Sequence, residues 1–268
     1  MKKYWHVINI GIQNTLVYRT NFLFRSVFSL IPLMATIYLW RAVYAGKQSG
    51  SDVAGYSLAG MISYYLLITI ADALTAVTED DWQIAGDIRE GAINQFLLKP
   101  IDYLTYRLCL FASGRLIYVS VAAIPVAVFI FVQRQYWVGP PSSQVFILFI
   151  ISLAMTALLQ FFISYTMALL AFWLLEISTF IFIVFAFEYI AGGHLFPLDI
   201  LPPGLATALN FTPFPYQLFF PVSVYLGRIT GPAIWQGLAI QLFWVVFFYV
   251  VARLTWRRGI RRYTAFGG

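Results

Sequence analysis

The sequence is poor in the residues on which soluble enzymes depend. Charged residues occupy 10% of the 268 positions, whereas soluble domains average about 25%. The single cysteine, Cys109, excludes an intrachain disulfide. The two histidines, His6 and His194, lie on opposite sides of the membrane in the topology predicted below, which excludes a shared metal site.

Motifs for nucleotide, metal or ester chemistry are also missing. The phosphate-cradling pattern G-x-x-x-x-G-K-[ST] does not occur, and neither does H-E-x-x-H or G-x-S-x-G. Polar and basic residues interrupt the first twenty positions, so there is no apolar core of a cleavable signal peptide. We therefore expect no cofactor or metal on this chain and no enzyme activity of its own.

Long apolar runs are what the sequence has in abundance, because hydrophobic residues make up 61% of it. A helix needs about 20 mostly apolar residues to cross ~30 Å of hydrocarbon. Six runs qualify, although the fifth must borrow residues from either end. We predict an all-α polytopic membrane protein, one transmembrane domain over 1–268. Its six spans fall at about 22–44, 54–77, 110–131, 145–172, 177–192 and 233–253.

The distribution of basic residues predicts the orientation of these spans. With the N-terminus inside, 13 of the 17 lysines and arginines lie in inner segments. The outer segments hold the remaining four, Arg41, Lys47, Arg134 and Arg228. The positive-inside rule therefore predicts that both termini are cytoplasmic. The net charge of +6 is interpreted as contact with anionic membrane lipids and not with nucleic acid.

An amphipathic helix is predicted before the first span. Trp5, Ile8, Ile12 and Leu16 fall near helical spacing on one face. Such a helix, at about 3–20, is expected to lie in the membrane interface as an elbow.

The inner segment between the second and third spans carries the densest charge. The acidic run 79–81 favours the start of a helix, where the macrodipole is positive, and Pro100 disfavours helix at Lys99. Four apolar residues recur between them at the helical period: Ile84, Ile88, Ala92 and Phe96. The pattern predicts a short cytoplasmic helix with one apolar stripe. A helix resting on lipid headgroups is the alternative.

The outer segment before the last span combines six prolines with many Phe, Leu and Tyr residues, over 192–231. It is too apolar for an ordinary loop and too broken to span. We expect short helices that dip into the outer leaflet, which is tolerated only where backbone is buried in protein or faces water.

Two ionisable residues, Asp72 and Glu188, fall inside predicted spans, where such groups are costly. They are either structural, paired with polar groups, or the coupling groups of an ion-gradient-driven transporter or channel. A membrane-embedded lipid-modifying enzyme using Asp72 and the acidic run is a third possibility. The lack of further midplane charge disfavours the transporter, and the lack of paired acids on one helix face disfavours the enzyme.

Three local patterns together resemble a known family. They are YRTNFL at 18–23, DIREGAI and FLLKPI at 87–93 and 96–101, and GHLFPL, LP and TPF at 193–198, 201–202 and 212–214. The combination is similar to permease subunits of the second class of ABC exporters, which includes drug, polysaccharide and antibiotic exporters. The spacing of elbow, six spans and broken outer segment extends the resemblance to nearly the whole chain.

The resemblance implies that the chain is half of a pore in a plasma (inner) membrane. Its partners would be a second permease chain, identical or paralogous, and a dimer of ATPase subunits that holds ATP and Mg. The working complex would move an amphipathic, lipid-like or drug-like substrate outward.

The resemblance also implies roles for particular residues. The inner helix becomes a coupling helix, whose stripe, including Ile84, enters a groove on the ATPase. The groove contacts are Ile88, Ala92 and Phe96, and the rim contacts are Arg89, Glu90 and Lys99. The broken outer helices become an outer gate, with Phe196, Pro197, Pro202, Pro213 and Phe214.

Overall fold

The computed structural model of the chain describes residues 2–46, 52–77 and 80–263. Lys47 and Glu79, on which two predictions partly rest, lie outside these ranges, as does the side chain of Asp80. Within the described ranges the regular structure is helical, apart from one isolated pairing of Val53 with Tyr56. The all-α prediction is confirmed.

Eleven α-helices occur in the described residues. They are α1 Lys2–Val17, α2 Arg19–Ala45, α3 Leu58–Thr75, α4 Asp80–Arg89, α5 Asn94–Leu97, α6 Tyr103–Val132, α7 Ser143–Ala168, α8 Ser178–Ala191, α9 Pro203–Leu209, α10 Phe219–Tyr225 and α11 Pro232–Arg262. Four short 3₁₀ turns lie between them, at Arg134–Tyr136, Leu169–Phe172, Leu198–Ile200 and Phe214–Tyr216.

Five of these helices are long and apolar enough to cross a bilayer: α2, α3, α6, α7 with its 3₁₀ extension, and α11. They coincide with five of the predicted spans. The remaining predicted span, the fifth along the chain, forms as α8, which has only 14 residues. At 1.5 Å per residue it is about 21 Å long, shorter than the ~30 Å of hydrocarbon. The chain is a multi-pass membrane protein. Its helix α8 is by itself too short to cross the bilayer.

Side-chain caps fix where three of the long helices begin. Ser57, Asp102 and Ser142 each accept a hydrogen bond from the backbone N–H three residues later, at 3.2, 3.0 and 3.3 Å. Each bond satisfies one of the N–H groups that a helix start leaves without a partner. The positions of these three capping residues in the sequence therefore determine where α3, α6 and α7 begin.

The core consists of two clusters of buried side chains that meet along α7. One joins α4, α6, α7 and α11, with Phe161 and Tyr165 fully buried at its centre. The other joins α2, α3, α7 and α10 around Tyr64 and Leu67. Consequently α3 and α7 are central, whereas few residues of α2 and α6 are fully buried.

The segment between α8 and α11 is broken into the short helices that the sequence predicts. Six of the seven residues of α10 are buried, against α3 and α7. A Cβ at Gly237 of α11 would collide with the Phe220 ring of α10, so the glycine allows the two helices to touch. Close packing of this kind removes non-spanning backbone from lipid.

The N-terminal helix α1 is separate from α2 and packs along the first turns of α6. Val7 and Gly11 are buried in this contact, and the Ser113 hydroxyl donates to the carbonyl oxygen of Ile8 at 3.2 Å. Trp5 and Leu16 stay exposed. The helix predicted before the first span is therefore present. One of its faces packs against α6, and the apolar residues Trp5 and Leu16 are exposed.

Candidate functional site

The segment between α3 and α6 is not one helix. The backbone at Gly91 has φ +78°, a left-handed conformation that glycine adopts without strain, and it ends α4 at Arg89. A second short helix, α5, follows and stops before Pro100. The chain thus makes a sharp tip between α4 and α6.

The predicted apolar stripe does not face outward, and that part of the prediction is wrong. Ile84 and Ile88 are 1% and 4% exposed and belong to the core of this chain, because α4 packs against α7. Ala92 lies beyond the turn and is partly buried. The ring of Phe96 packs on Tyr103 and Tyr106, at centroid distances of 5.1 and 4.8 Å. The four-residue period therefore marks a face covered by the protein itself.

Other apolar residues of this segment are exposed. Leu98 is 88% exposed and Leu97 is 47% exposed. Arg89, Glu90 and Lys99 are exposed beside them. We name residues 89–99 the tip: its outer surface is a leucine pair with a charged rim.

A buried arginine fastens α4 to α6. The Arg107 guanidinium, 5% exposed, pairs with the Asp87 carboxylate and donates to the Tyr103 hydroxyl at 3.0 Å and to Gln83 Oε1 at 3.2 Å. The Tyr103 hydroxyl in turn donates to Asp87 at 2.6 Å. Since every partner lies on α4 or α6, the network fixes the angle at which the tip projects.

A second ion pair connects the start of α6 to the end of α11. Arg253 pairs with Asp102, the residue that also caps α6. Burial opposes ionisation of Asp102, but hydrogen bonds from Arg253 and Thr105 outweigh it and lower the pKa of the carboxyl. Lys3 of α1 donates to the carbonyl oxygen of Pro100 at 2.6 Å. Lys3, Arg107 and Arg253 thus lie around the start of α6 at one end of the helix bundle, which we call the basic end.

The opposite end contains the proline-rich segment and is held by Arg228. Its guanidinium donates to the carbonyl oxygens of Gly55 at 2.7 Å and Ala54 at 2.9 Å and lies 4.2 Å from the centroid of the Tyr56 ring. Asp199 accepts from both Arg228 and the Tyr56 hydroxyl, at 3.4 and 2.8 Å. This clamp joins the loop before α3 to the segment after α8.

The residues predicted to form an outer gate occupy different environments. Pro197 and Pro213 are buried, Phe196 and Phe214 are partly buried, and Pro202 is exposed. The Phe214 ring stacks on Phe187 of α8 with centroids 6.5 Å apart. A cavity of about 780 Å³ lies nearby, between the short helices and the first turns of α11. None of the five predicted gate residues lines it.

Asp72 and Glu188 line one cavity of about 100 Å³, between α3, α7 and α8. His194 closes it: its Nε2 lies 3.2 Å from Asp72 Oδ1, and its ring stacks on Tyr189 at 5.2 Å. Asp81, at the start of α4, also contributes to the wall. Two residues that the sequence could only treat separately therefore belong to one site.

His194 does not lie beside the start of α3, the end at which the predicted topology places it. Asp72 is fourteen residues after Leu58, about 21 Å along α3. The imidazole contacts it because α8 is short and because Tyr64 and Tyr65 of α3 hold the following turn. Their hydroxyls donate to the carbonyl oxygens of Gly193 and Leu195, at 2.6 and 2.9 Å.

Sequence reasoning missed the neutral polar residues of this cavity. Gln160 and Ser164 lie four residues apart on α7 and both face it. Their only signal in the sequence was a glutamine inside an otherwise apolar run. Across the described ranges, no group of three or more His, Cys, Asp or Glu side chains is arranged to hold a metal ion.

A comparison with protein families identifies the architecture. The family model described as ABC-2 family transporter protein matches residues 30–267. Neither a curated protein nor a solved structure shows a significant match. The match spans every long helix from α3 to α11 and most of α2, and agrees with the resemblance that the three local patterns carry. The chain belongs to the ABC-2 family of transporter proteins and is a multi-pass permease of the ABC transporter type.

Proposed function

We propose that this chain is the permease half of an ATP-driven exporter and that a separate ATPase subunit supplies the energy. The family match carries the proposal. ATP and Mg are bound on the partner, since the sequence has no phosphate-binding loop. Export is outward, with both termini and the basic end in the cytoplasm of a plasma (inner) membrane.

The tip is the proposed contact with the ATPase. Leu97 and Leu98 offer the apolar anchor that a protein groove buries, and the rim supplies Arg89, Glu90 and Lys99. This replaces the stripe predicted from the sequence: Ile84 and Ile88 hold the tip in place from inside, and Phe96 supports it against Tyr103.

The bracing of the tip supports a mechanical role. A movement of the ATPase can be transmitted to the spanning helices only if the segment between the ATPase and these helices is rigid. The Arg107–Asp87 and Arg253–Asp102 pairs join the segment around the tip to α6 and α11. Force applied at Leu98 would therefore act on two spanning helices together.

The second permease chain, identical or paralogous, and the surrounding lipid would cover the apolar faces that one chain leaves open. On α8, for example, Phe182, Phe185 and Phe187 are each about half exposed or more. The proposed substrate is amphipathic, lipid-like or drug-like, in keeping with apolar walls around both cavities.

Replacing the exposed leucine of the tip tests the proposal. We expect Leu98→Asp to abolish ATPase binding, because removing an apolar anchor and burying an unpaired charge costs several kcal/mol, about 100-fold or more in affinity. The tagged permease would be purified from its native cells and assayed for retained, vanadate-sensitive ATP hydrolysis. The chain stripped of partners should hydrolyse none.

Asn14→Asp is the control, since it places the same charge at an exposed polar position of α1, outside the tip. It should retain the ATPase. Normal ATPase retention by Leu98→Asp would remove the tip from the mechanism. Vanadate-sensitive hydrolysis by the isolated chain would contradict the assignment of energy coupling to a partner.

A further inference from the structure

The last turns of α11 carry four arginines within six residues. They are exposed, and we call them the arginine face: Arg257, Arg258, Arg261 and Arg262. Within the described part of the chain, none of these four guanidinium groups forms a hydrogen bond or an ion pair. Like charges one turn apart on a helix repel each other, so an anion bound at this face would relieve the repulsion.

The helix macrodipole accounts for only part of this concentration of charge. It favours cations near a helix C-terminus, but its effect falls off within the last turn. Arg261 and Arg262 lie in that turn, whereas Arg257 and Arg258 precede it. The dipole of α11 therefore does not explain why all four positions are basic.

The opposite face of the same turns is covered by the protein. Trp256 stacks on Tyr103 of α6, with ring centroids 4.9 Å apart, and the Tyr263 ring lies 5.9 Å from Phe172. A Cβ at Gly259 would collide with the Phe172 ring, so the helix is pressed closely against its neighbours. The arginine face points away from these contacts, and its partner must lie outside the chain.

The arginine face continues an apolar stripe of the same helix. Five apolar residues, each about half exposed, recur at helical spacing along it: Phe243, Val246, Phe247, Val250 and Leu254. Arg257 and Arg261 extend the same spacing. A face that is apolar along the span and cationic at its end matches both parts of an anionic phospholipid, the acyl chain and the phosphate. An acidic protein surface would match only the arginines.

The length of α11 brings the arginines to the level of lipid phosphates. At 1.5 Å per residue, Arg257 and Arg262 lie about 38 and 45 Å from Pro232 along the helix. A bilayer is about 40–45 Å thick with its headgroups, of which ~30 Å is hydrocarbon. When Pro232 lies at one surface of the bilayer, the arginine face therefore lies in the headgroup layer of the other.

We propose that the arginine face binds a phospholipid whose head carries two phosphate groups. Arg257 and Arg261 are four residues apart and form one pair of neighbours on the helix surface. Arg258 and Arg262 form a second pair beside it. A guanidinium holds a phosphate through two parallel N–H···O bonds, so each pair closes on one phosphate, while the acyl chains lie along the apolar stripe.

The number of phosphates predicts the selectivity of the site. When one phosphate of a molecule is bound, the second is held near the other arginine pair at a high effective concentration. Phosphatidylglycerol has one phosphate and gains nothing from this effect. The phosphate of phosphatidylcholine is neutralised by its own choline. We expect diphosphatidylglycerol to bind at least tenfold more tightly than phosphatidylglycerol, and phosphatidylcholine to bind most weakly.

Binding is measured by native mass spectrometry of the full chain, purified without any ATPase and stripped of lipid in detergent. The three phospholipids, with identical acyl chains, are titrated separately at constant ionic strength. Replacing all four arginines by glutamine should weaken diphosphatidylglycerol binding at least tenfold. The double variant Arg257→Gln/Arg261→Gln removes one pair, so it should bind diphosphatidylglycerol and phosphatidylglycerol with similar affinity.

A matched control removes the same charge elsewhere. It combines four exposed basic residues outside the arginine face: Lys2→Gln, Arg19→Gln, Arg25→Gln and Arg134→Gln. If the arginine face is the site, this variant should keep both the affinity for diphosphatidylglycerol and the preference over phosphatidylglycerol. An equal loss in the control and in the quadruple arginine variant would show that net charge alone attracts the lipid, and would overturn the proposal.

The fold of the quadruple variant should survive, because the four guanidinium groups have no partner to lose within the described residues. Helical content by circular dichroism and elution as a single species check this. If the glutamine variant aggregates, replacement of the four arginines by lysine keeps the test decisive: the charge remains, but an ammonium lacks the planar fork, and binding should weaken severalfold. Unchanged binding by the lysine variant, or equal binding of the two anionic lipids by the native chain, would overturn the proposal.

The lipid site does not depend on the proposed export function, and the two are tested separately. The quadruple glutamine variant should retain the ATPase in the co-purification assay, since the tip is unchanged. Loss of the ATPase with unchanged lipid binding would assign the arginine face to the ATPase and overturn the lipid site. A chain that binds diphosphatidylglycerol as expected but never associates with an ATPase would refute the export function alone.

Discussion

The glutamine at the centre of α11 should be among the most stabilising polar residues in the bundle. Gln241 is fully buried and joins three elements. Its Nε2, with two N–H groups, shares them among three acceptors: the carbonyl oxygens of Ser152 and Tyr216, at 3.0 and 2.8 Å, and Thr156 Oγ1, at 3.1 Å. Its Oε1 accepts from the Ser152 hydroxyl at 2.8 Å. We predict that Gln241→Leu, which keeps a similar volume, destabilises the folded chain.

The magnitude follows from the contacts. Interhelical hydrogen bonds in membranes contribute about 0.6 kcal/mol each on average. The two N–H groups and the one acceptor oxygen form three full bonds, which give about 2 kcal/mol, close to a 30-fold change in the unfolding equilibrium constant. The Tyr216 carbonyl oxygen would retain only the Thr156 hydroxyl, at 3.5 Å, which is too long to replace the lost bond.

The assay is reversible unfolding in mixed micelles with increasing dodecyl sulfate, followed by circular dichroism. Gln236→Leu is the control, because this exposed glutamine lies on the same helix five residues earlier; its free energy of unfolding should change by less than about 0.5 kcal/mol. If Gln241→Leu differs from Gln236→Leu by less than that, the network contributes nothing measurable and the reasoning fails.

Two further predictions concern the backbone and the orientation. Gly193→Ala should destabilise the chain by about 2 kcal/mol, because Gly193 has φ +90° and a Cβ there would lie 2.5 Å from the Tyr64 hydroxyl oxygen; Gly204→Ala, with nothing within 4 Å, should be neutral in the same unfolding assay. In a Cys109→Ser background, cysteines at the exposed positions Ser142 and Gly204 should react with an impermeant thiol reagent on intact cells, whereas one at Gln95 should not. Labelling at Gln95 would reverse the topology.

The spanning helices could be predicted because length and apolarity alone determine them. The run predicted at 177–192 appears as Ser178–Ala191, and the run predicted at 145–172 appears as Ser143–Phe172. The sequence did not predict that α6 begins at Tyr103, before the predicted span at 110–131. The additional turns carry polar residues, and whether these are buried depends on partners elsewhere in the chain. Arg107, for example, enters α6 only because Asp87 neutralises it.

The apolar stripe shows where sequence periodicity stops being informative. The spacing of Ile84 and Ile88 correctly indicates a helix with one apolar face, but a period cannot say what covers that face. Here α7 of the same chain covers it, and the most exposed apolar residue of the tip is Leu98, which follows no period. Asp72 and His194 likewise stand 122 residues apart, and nothing local to either residue predicts their contact.

The cavity and the tip are connected through a single element. Asp81, in the first turn of α4, lines the cavity, and the tip begins where the same helix ends, at Arg89. Between them, Ile84 and Ile88 pack in the core that includes α7, which carries Gln160 and Ser164. A shift of α4 against α7 would therefore move one acidic wall of the cavity relative to its hydrogen-bond acceptors. Because packed interfaces change between discrete arrangements and do not deform continuously, a displacement of the tip at Leu98 would change the shape of the cavity some turns away. The short α8 completes this arrangement, since its early end is what allows His194 to reach Asp72, about 21 Å along α3 from its start.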